Sequence, residues 1–425
     1  MRAISLFVYT LLVGIAVFMF GWNLFSLLAP ENVAIFEIAT LYNPWIQLSV
    51  FSSIVVLFFS YSFNLLRNGY SGYCNMESIQ WRIFPLLFFF SWIGTCYLLR
   101  GNLFEDRSIY LNLLCPLVFG LVASTESREG ICLEKWFFGT FSLLILGLCQ
   151  IDWPNVKRFY YRGVYRETGI WDNPNTYGVF CGVVFTWGIA YLRESGFTIV
   201  GNWGGGKVVL FAALLLSLKG LLNSYSRGAW LGVAIAQTYL WTPAILSKIA
   251  SGIQRKTYIT IGVPLTCILI YGALLKLKDV DFPPLRRLGS IVNVTDLSWV
   301  HRLVAWKGSV LMLLERPIFG WGLENVESVY RVHFKPDSVP LAGAIVLNDV
   351  LFIAAGCGIL VLILFVAILI NTFRCIDCSA ERSALCVLVT AAVFDGVLFN
   401  SSLALLFWLL VFRFVHNEPT KNAQV

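Results

Sequence analysis

The residues of this chain best suited to chemistry are arginines, and their spacing sets them beside apolar stretches. Arg227 stands in Asn223-Ser-Tyr-Ser-Arg-Gly-Ala-Trp230, between two apolar runs with almost no connecting loop. Arg166 belongs to a basic stretch that also holds Lys157, Arg158 and Arg162. Arg302 opens a helical pattern that Arg316 closes. A cation beside an apolar span is costly unless its head snorkels to water or meets an anion. Guanidinium suits phosphate because its planar fork donates two parallel hydrogen bonds. These positions therefore point to an anionic, lipid-linked ligand. A cation at a helix C-terminus is favoured by the macrodipole, which explains Arg316 but not Arg302, so Arg302 ranks above Arg316 as a ligand-binding candidate.

The polar segment Lys276–Gly343 that carries Arg302 also holds Arg286, Arg287, Lys307, Arg331 and Lys335, with His301 and His333. The two histidines are candidate proton acceptors, weighed against an ordinary surface role. Within the segment, Phe282-Pro-Pro284 stops any helix. From Trp299 the residues Leu303, Trp306, Val310, Leu313 and Leu314 recur at three- and four-residue spacing, which predicts an amphipathic helix ending before Pro317 and lying at a membrane surface. A second polar tract, Gly169-Ile-Trp-Asp-Asn-Pro-Asn-Thr-Tyr-Gly178, reads as a turn followed by a helix start. Its Asn173 and Asn175 are candidates for hydrogen bonds to sugar hydroxyls.

The elements that must position these groups are membrane spans. Of 425 residues, 58% are hydrophobic and 13% charged, far below the charge of about 25% usual in globular domains. Apolar runs long enough to cross a bilayer as helices fall near 3–29, 46–66, 83–99, 109–124, 136–150, 174–192, 207–223, 228–246, 257–275, 345–370, 383–399 and 403–415. The fold class is thus all-α: a polytopic membrane protein with about twelve transmembrane helices and one large outer loop containing amphipathic helices. The division is helices one to nine over 1–275, the loop over 276–343, three more helices over 344–416, and a tail over 417–425. The first run is too long for a signal peptide and is expected to remain as an anchor. Counting Lys and Arg by alternate loops makes both termini cytoplasmic. Membrane lipids are then partners, and nucleic acid is not. The eleven cysteines fall mostly in or beside spans, as small hydrophobes rather than a disulfide framework. Cys375-Ile-Asp-Cys378 has no second pair to complete a zinc site.

Taken in order, Asp172-Asn-Pro-Asn175, Ser226-Arg-Gly228, Arg302-Leu-Val-Ala-Trp306, Pro317-Ile-Phe-Gly-Trp-Gly322, Asn348-Asp-Val-Leu351 and Gly356-Cys-Gly358 are similar to the motif series of the O-antigen ligase and polymerase family, over roughly 165–410. The resemblance implies an enzyme of the bacterial inner membrane that takes a glycan from an undecaprenyl pyrophosphate carrier on the periplasmic face. The acceptor would be the lipid A core in a ligase, or another lipid-linked glycan in a polymerase. It implies that Arg227 and Arg302 hold the pyrophosphate, with Arg166, Asn348, Asn173 and Asn175 as further substrate contacts, and that neither metal nor cofactor takes part. Family ligases carry a histidine before the asparagine that opens the span after the large loop; here Leu347 precedes Asn348. Asp349, His301 and His333 are the groups that could replace it as base.

A different class of protein also fits the composition. Polar residues within spans, namely Asn64, Asn112, Lys219 and Asp395, are what a multi-pass secondary transporter of a small anion or solute would show. Asp395 is the strongest of them, either as the partner of a helix-end cation or as part of an ion path. A purely structural scaffold leaves the cationic outer loops unexplained.

Overall fold

A computed structural model describes residues 88–89, 92–93, 142–151, 159–161, 164–171, 173–194, 205–248, 297–339, 348–376, 378–399 and 401–416. The expected spans near 3–29, 46–66, 109–124 and 257–275, most of 83–99, and the tail over 417–425 lie outside the described residues.

The described chain is mainly helical. Helix α1 (Ser142–Leu148) precedes a hairpin of β1 (Phe159–Tyr161) and β2 (Val164–Arg166), which pair antiparallel with Phe159 opposite Arg166. This small hairpin stands beside helices that keep the described residues in line with the all-α expectation. Three long helices follow, α2 (Pro174–Glu194), α3 (Gly205–Asn223) and α4 (Arg227–Lys248), each close to an expected span. Asn173 caps α2 by accepting the Asn175 amide at 2.9 Å, and Pro174 takes the first helical position, where its missing N–H costs nothing. Ser226 caps α4 by accepting the Ala229 amide at 3.3 Å. The turn between α3 and α4 is tight enough to hold Tyr225 at φ 50, a left-handed conformation that costs a non-glycine residue about 1–3 kcal/mol.

The polar segment supplies α5 (Leu297–Glu315), α6 (Val326–Val329) and a π-helical turn over Tyr330–Phe334. Then come α7 (Asp349–Cys357), α8 (Ile359–Cys375), α9 (Ser379–Phe394) and α10 (Ser401–His416). Two expected spans need correction. The run 345–370 is not one helix: it breaks at Gly358, whose φ is 90. The run 383–399 is a helix only to Phe394, because Asp395 turns extended at φ −147 and the apolar residues beyond it leave the helix. Hydropathy records apolar composition and is blind to both breaks.

The core lies where α4 and α2 pack against α9, with α3 on the flank of α2. A Cβ on Gly232 would stand 3.1 Å from the Val387 carbonyl oxygen, so α4 and α9 cross with their backbones nearly touching. Helix α5 packs on α7 and on the π turn through Ala305, Gly308, Ser309 and Met312. The larger residues of its expected apolar face, Leu303, Val310 and Leu314, point outward instead. Small side chains face the protein because they let the backbones approach; Gly308, for example, lies directly under the Tyr330 ring.

The segment Pro317-Ile-Phe-Gly-Trp-Gly322 docks on the break between α7 and α8 through backbone groups. Trp321 N donates to Ala355 O (2.9 Å), Gly322 N to Gly356 O (2.8 Å) and Ile359 N to Pro317 O (2.7 Å). A Cβ on Gly358 would fall 2.0 Å from the Ile318 carbonyl oxygen, so this contact requires glycine.

Among the described residues, no helix is long and apolar enough to cross a membrane. Large apolar side chains nevertheless line outward faces at helical spacing: Phe211, Leu215 and Leu222 on α3, and Ile359, Ile363 and Ile370 on α8.

Candidate functional site

Three helices start at one cleft. Its walls are Asn175 from the first turn of α2, Arg227, Gly228 and Leu231 from α4, and Ser298, Trp299 and Arg302 from α5, with Arg166 from β2 and Phe394 from the end of α9. The cleft is partly open to solvent. Helix N-termini present partial positive charge and unsatisfied amides. Three of them together with three guanidinium groups give the cleft a strongly positive character.

One carboxylate organises this charge. Asp395, only 6% exposed, takes Arg302 Nη2 on its Oδ1 at 3.1 Å and the Asn175 side-chain amide on the same oxygen at 2.8 Å. Asn175 in turn accepts from Arg166 Nη2 at 2.6 Å, and Arg166 Nε donates to the Ser224 carbonyl at 2.8 Å. Arg302 is further fixed by bonds from Nε to the Phe394 carbonyl (3.0 Å) and from Nη1 to Ser298 Oγ (2.5 Å). The chain Arg166–Asn175–Asp395–Arg302 thus joins β2, α2, α9 and α5. Gly228 completes the fit, since a Cβ there would stand 2.8 Å from Asp395 Oδ2. A buried pair of this kind adds little net stability but leaves a costly bare charge when one member is removed.

The hairpin is rooted in the same place: Glu167 N donates to the Asn223 carbonyl at 3.0 Å, and the Asn223 side chain returns a bond to Glu167 Oε1 at 2.8 Å. Burial, and then the nearby Glu167 carboxylate, raise the Tyr225 phenol above its ordinary value, so it stays protonated at neutral pH. One wall is aromatic, with Trp299 meeting Phe394 edge to face at a centroid distance of 6.0 Å.

Of the residues singled out by sequence, Arg166, Asn175, Arg227 and Arg302 line the cleft. Asn173 caps α2, and Asn348 caps α7 by accepting the Leu351 amide at 3.0 Å. Asp349 is fully buried at the first position of α7 and accepts Val397 N (2.6 Å) and Leu398 N (2.8 Å) on one oxygen. His301 neighbours Arg302 on α5, and His333 lies exposed on the π turn; neither lines the cleft. Arg316 stacks on the Trp321 ring at 3.8 Å, a cation–π contact within the docked segment. Sequence reasoning undervalued Asp395. The available signal was an acid near the end of an apolar run, which needs a buried cation as partner.

No curated protein and no solved structure matches the chain. Residues 212–366 match the family model described as O-antigen ligase, a stretch that contains Arg227, Arg302, Asn348 and Asp349. The match supports a role in the assembly of O-antigen or related polysaccharide, with glycosyltransferase-like activity on lipid-linked glycans. It thereby supports placing this chain in the O-antigen ligase and polymerase family.

Proposed function

We propose that the cleft holds the pyrophosphate of an undecaprenyl pyrophosphate-linked glycan, and that the protein transfers this glycan to an acceptor at the periplasmic face of the bacterial inner membrane. The observation that carries this reading is the convergence of Arg166, Arg227 and Arg302 with three helix N-termini at one cleft, where Asp395 holds Arg302. Guanidinium forks and helix N-terminal amides are the donors that a pyrophosphate accepts from. The bond from the anomeric carbon to the carrier oxygen breaks as an acceptor hydroxyl attacks. The guanidinium groups stabilise the charge that develops on the leaving pyrophosphate. No step of this scheme calls on a metal. Of the candidate bases, His301 adjoins Arg302 in sequence on α5, although its side chain does not line the cleft.

Membrane insertion, with both termini cytoplasmic, is part of the proposal. It rests on the apolar runs of the sequence and on the outward apolar faces of α3 and α8. Transport has less support, because Asp395, the acid that suggested an ion path, is the counter-ion of Arg302.

The test is to incubate purified protein with a labelled undecaprenyl pyrophosphate oligosaccharide, with and without lipid A core, and to size the products. One glycan on lipid A core means a ligase, and a ladder on the carrier means a polymerase. No product with either acceptor, alongside accumulation of solute in vesicles, would favour transport.

A further inference from the structure

Arg302 owes its position in the cleft to a turn, and that turn hangs on one buried carboxylate. Arg302 Nε and Nη2 are held by the Phe394 carbonyl and Asp395, the last residue of α9 and its C-cap. The chain then leaves the helix, and the next amides but one, Val397 N and Leu398 N, both donate to Asp349 Oδ2. Asp349 is itself fixed because it opens α7 behind the Asn348 cap, while the far end of α7 carries the docked segment Pro317–Gly322 that follows α5. Helix α7 therefore joins both ends of the Arg302 environment: the turn that grips the side chain, and the loop that anchors the helix bearing it.

We infer that Asp349 is a positioning residue, which sets the 395–398 turn and through it the reach of Arg302 toward the anionic ligand, and is not the base of the reaction. Three observations carry this. Asp349 is fully buried, it does not line the cleft, and the same oxygen takes both turn amides. Two amides on one carboxylate oxygen fix a turn in the manner of an N-cap, with the acceptor supplied from another helix. The inference deepens the reading of the cleft as a pyrophosphate site and rests on it for the ligand only; the mechanical link from Asp349 to Arg302 stands apart from it.

The conservative variant separates the two roles. Asp349→Asn keeps an oxygen for both amides and removes the ability to take a proton, whereas Asp349→Ala removes both. With a labelled undecaprenyl pyrophosphate oligosaccharide as donor, Asp349→Asn should stay within about threefold of wild type, with an unchanged pH profile. Asp349→Ala should raise the donor KM about tenfold or more, with a smaller fall in kcat. In an Arg302→Ala background, Asp349→Ala should add little, because both changes remove the same contact. A fall of about 100-fold in kcat for Asp349→Asn with donor binding intact would overturn the inference and make Asp349 the base. Full additivity of Asp349→Ala and Arg302→Ala would also overturn it.

A second readout needs no substrate. The rate at which an arginine-directed dicarbonyl reagent modifies Arg302, followed by peptide mass spectrometry, should rise in Asp349→Ala and stay at the wild-type value in Asp349→Asn. Equal rates in all three proteins would refute the link. If wild type neither binds nor transfers the donor, the reading of the cleft fails, and the modification rates still decide whether Asp349 positions Arg302.

Discussion

The cleft and the docked segment are built on opposite principles, although both contain motifs that look alike in the sequence. In the cleft, side chains make the contacts: Arg166, Asn175, Asp395 and Arg302 form one hydrogen-bonded series across four elements. At the junction of Pro317–Gly322 with α7 and α8, the contacts are made by backbone amides and carbonyls, and glycines at 320, 356 and 358 clear the space for them. Polar residue type therefore marks the chemical end of this molecule, and glycine marks the mechanical one. The difference predicts two kinds of damage.

The largest effect should come from the mechanical end. Gly358→Ala adds a Cβ 2.0 Å from the Ile318 oxygen at a left-handed φ. It should cost more than about 4 kcal/mol, seen as loss of folded protein in detergent before any assay of activity. Next is Arg302→Lys, which keeps a charge opposite Asp395 but loses the planar fork. Transfer should fall about 100-fold, close to 2.7 kcal/mol, while the unfolding midpoint moves by only a few degrees. Equal loss of stability and activity in these two variants would break the comparison.

Gly228→Ala sharpens it, because this glycine clears space for a carboxylate and not for backbone. Its Cβ would press on Asp395 Oδ2, and the expected result is about a tenfold loss of transfer with folding retained, measured on the same preparation. The smallest effect is that of Arg316→Ala. Removing the stack on Trp321 should lower stability by about 0.5–1 kcal/mol and leave transfer unchanged, since Arg316 stacks on the docked segment and does not line the cleft.

Much of this was legible in the sequence. Apolar runs located α2, α3 and α4 within a few residues, since a buried or lipid-facing helix must be apolar along its length. The macrodipole ranks Arg302 above Arg316; Arg302 lines the cleft, and Arg316 stacks on Trp321. Asn175 was chosen for sugar hydroxyls and turns out to bridge Arg166 to Asp395. What stayed hidden depended on tertiary contact. Nothing local reveals that Asp349 accepts amides from 397 and 398, or that Asp395 faces Arg302 from 93 residues away. The break at Gly358 was hidden for the same reason, because its cause is the Pro317 carbonyl and not the residues on either side of it.

The most direct measurement is the affinity of the purified protein for undecaprenyl pyrophosphate, compared with undecaprenyl monophosphate, in wild type, Arg227→Ala and Arg302→Lys. If the cleft is a pyrophosphate site, wild type binds the pyrophosphate more tightly than the monophosphate, and each variant weakens that binding by about tenfold or more, roughly 1.4 kcal/mol. Equal affinity for both carriers, unaltered in both variants, would contradict the account.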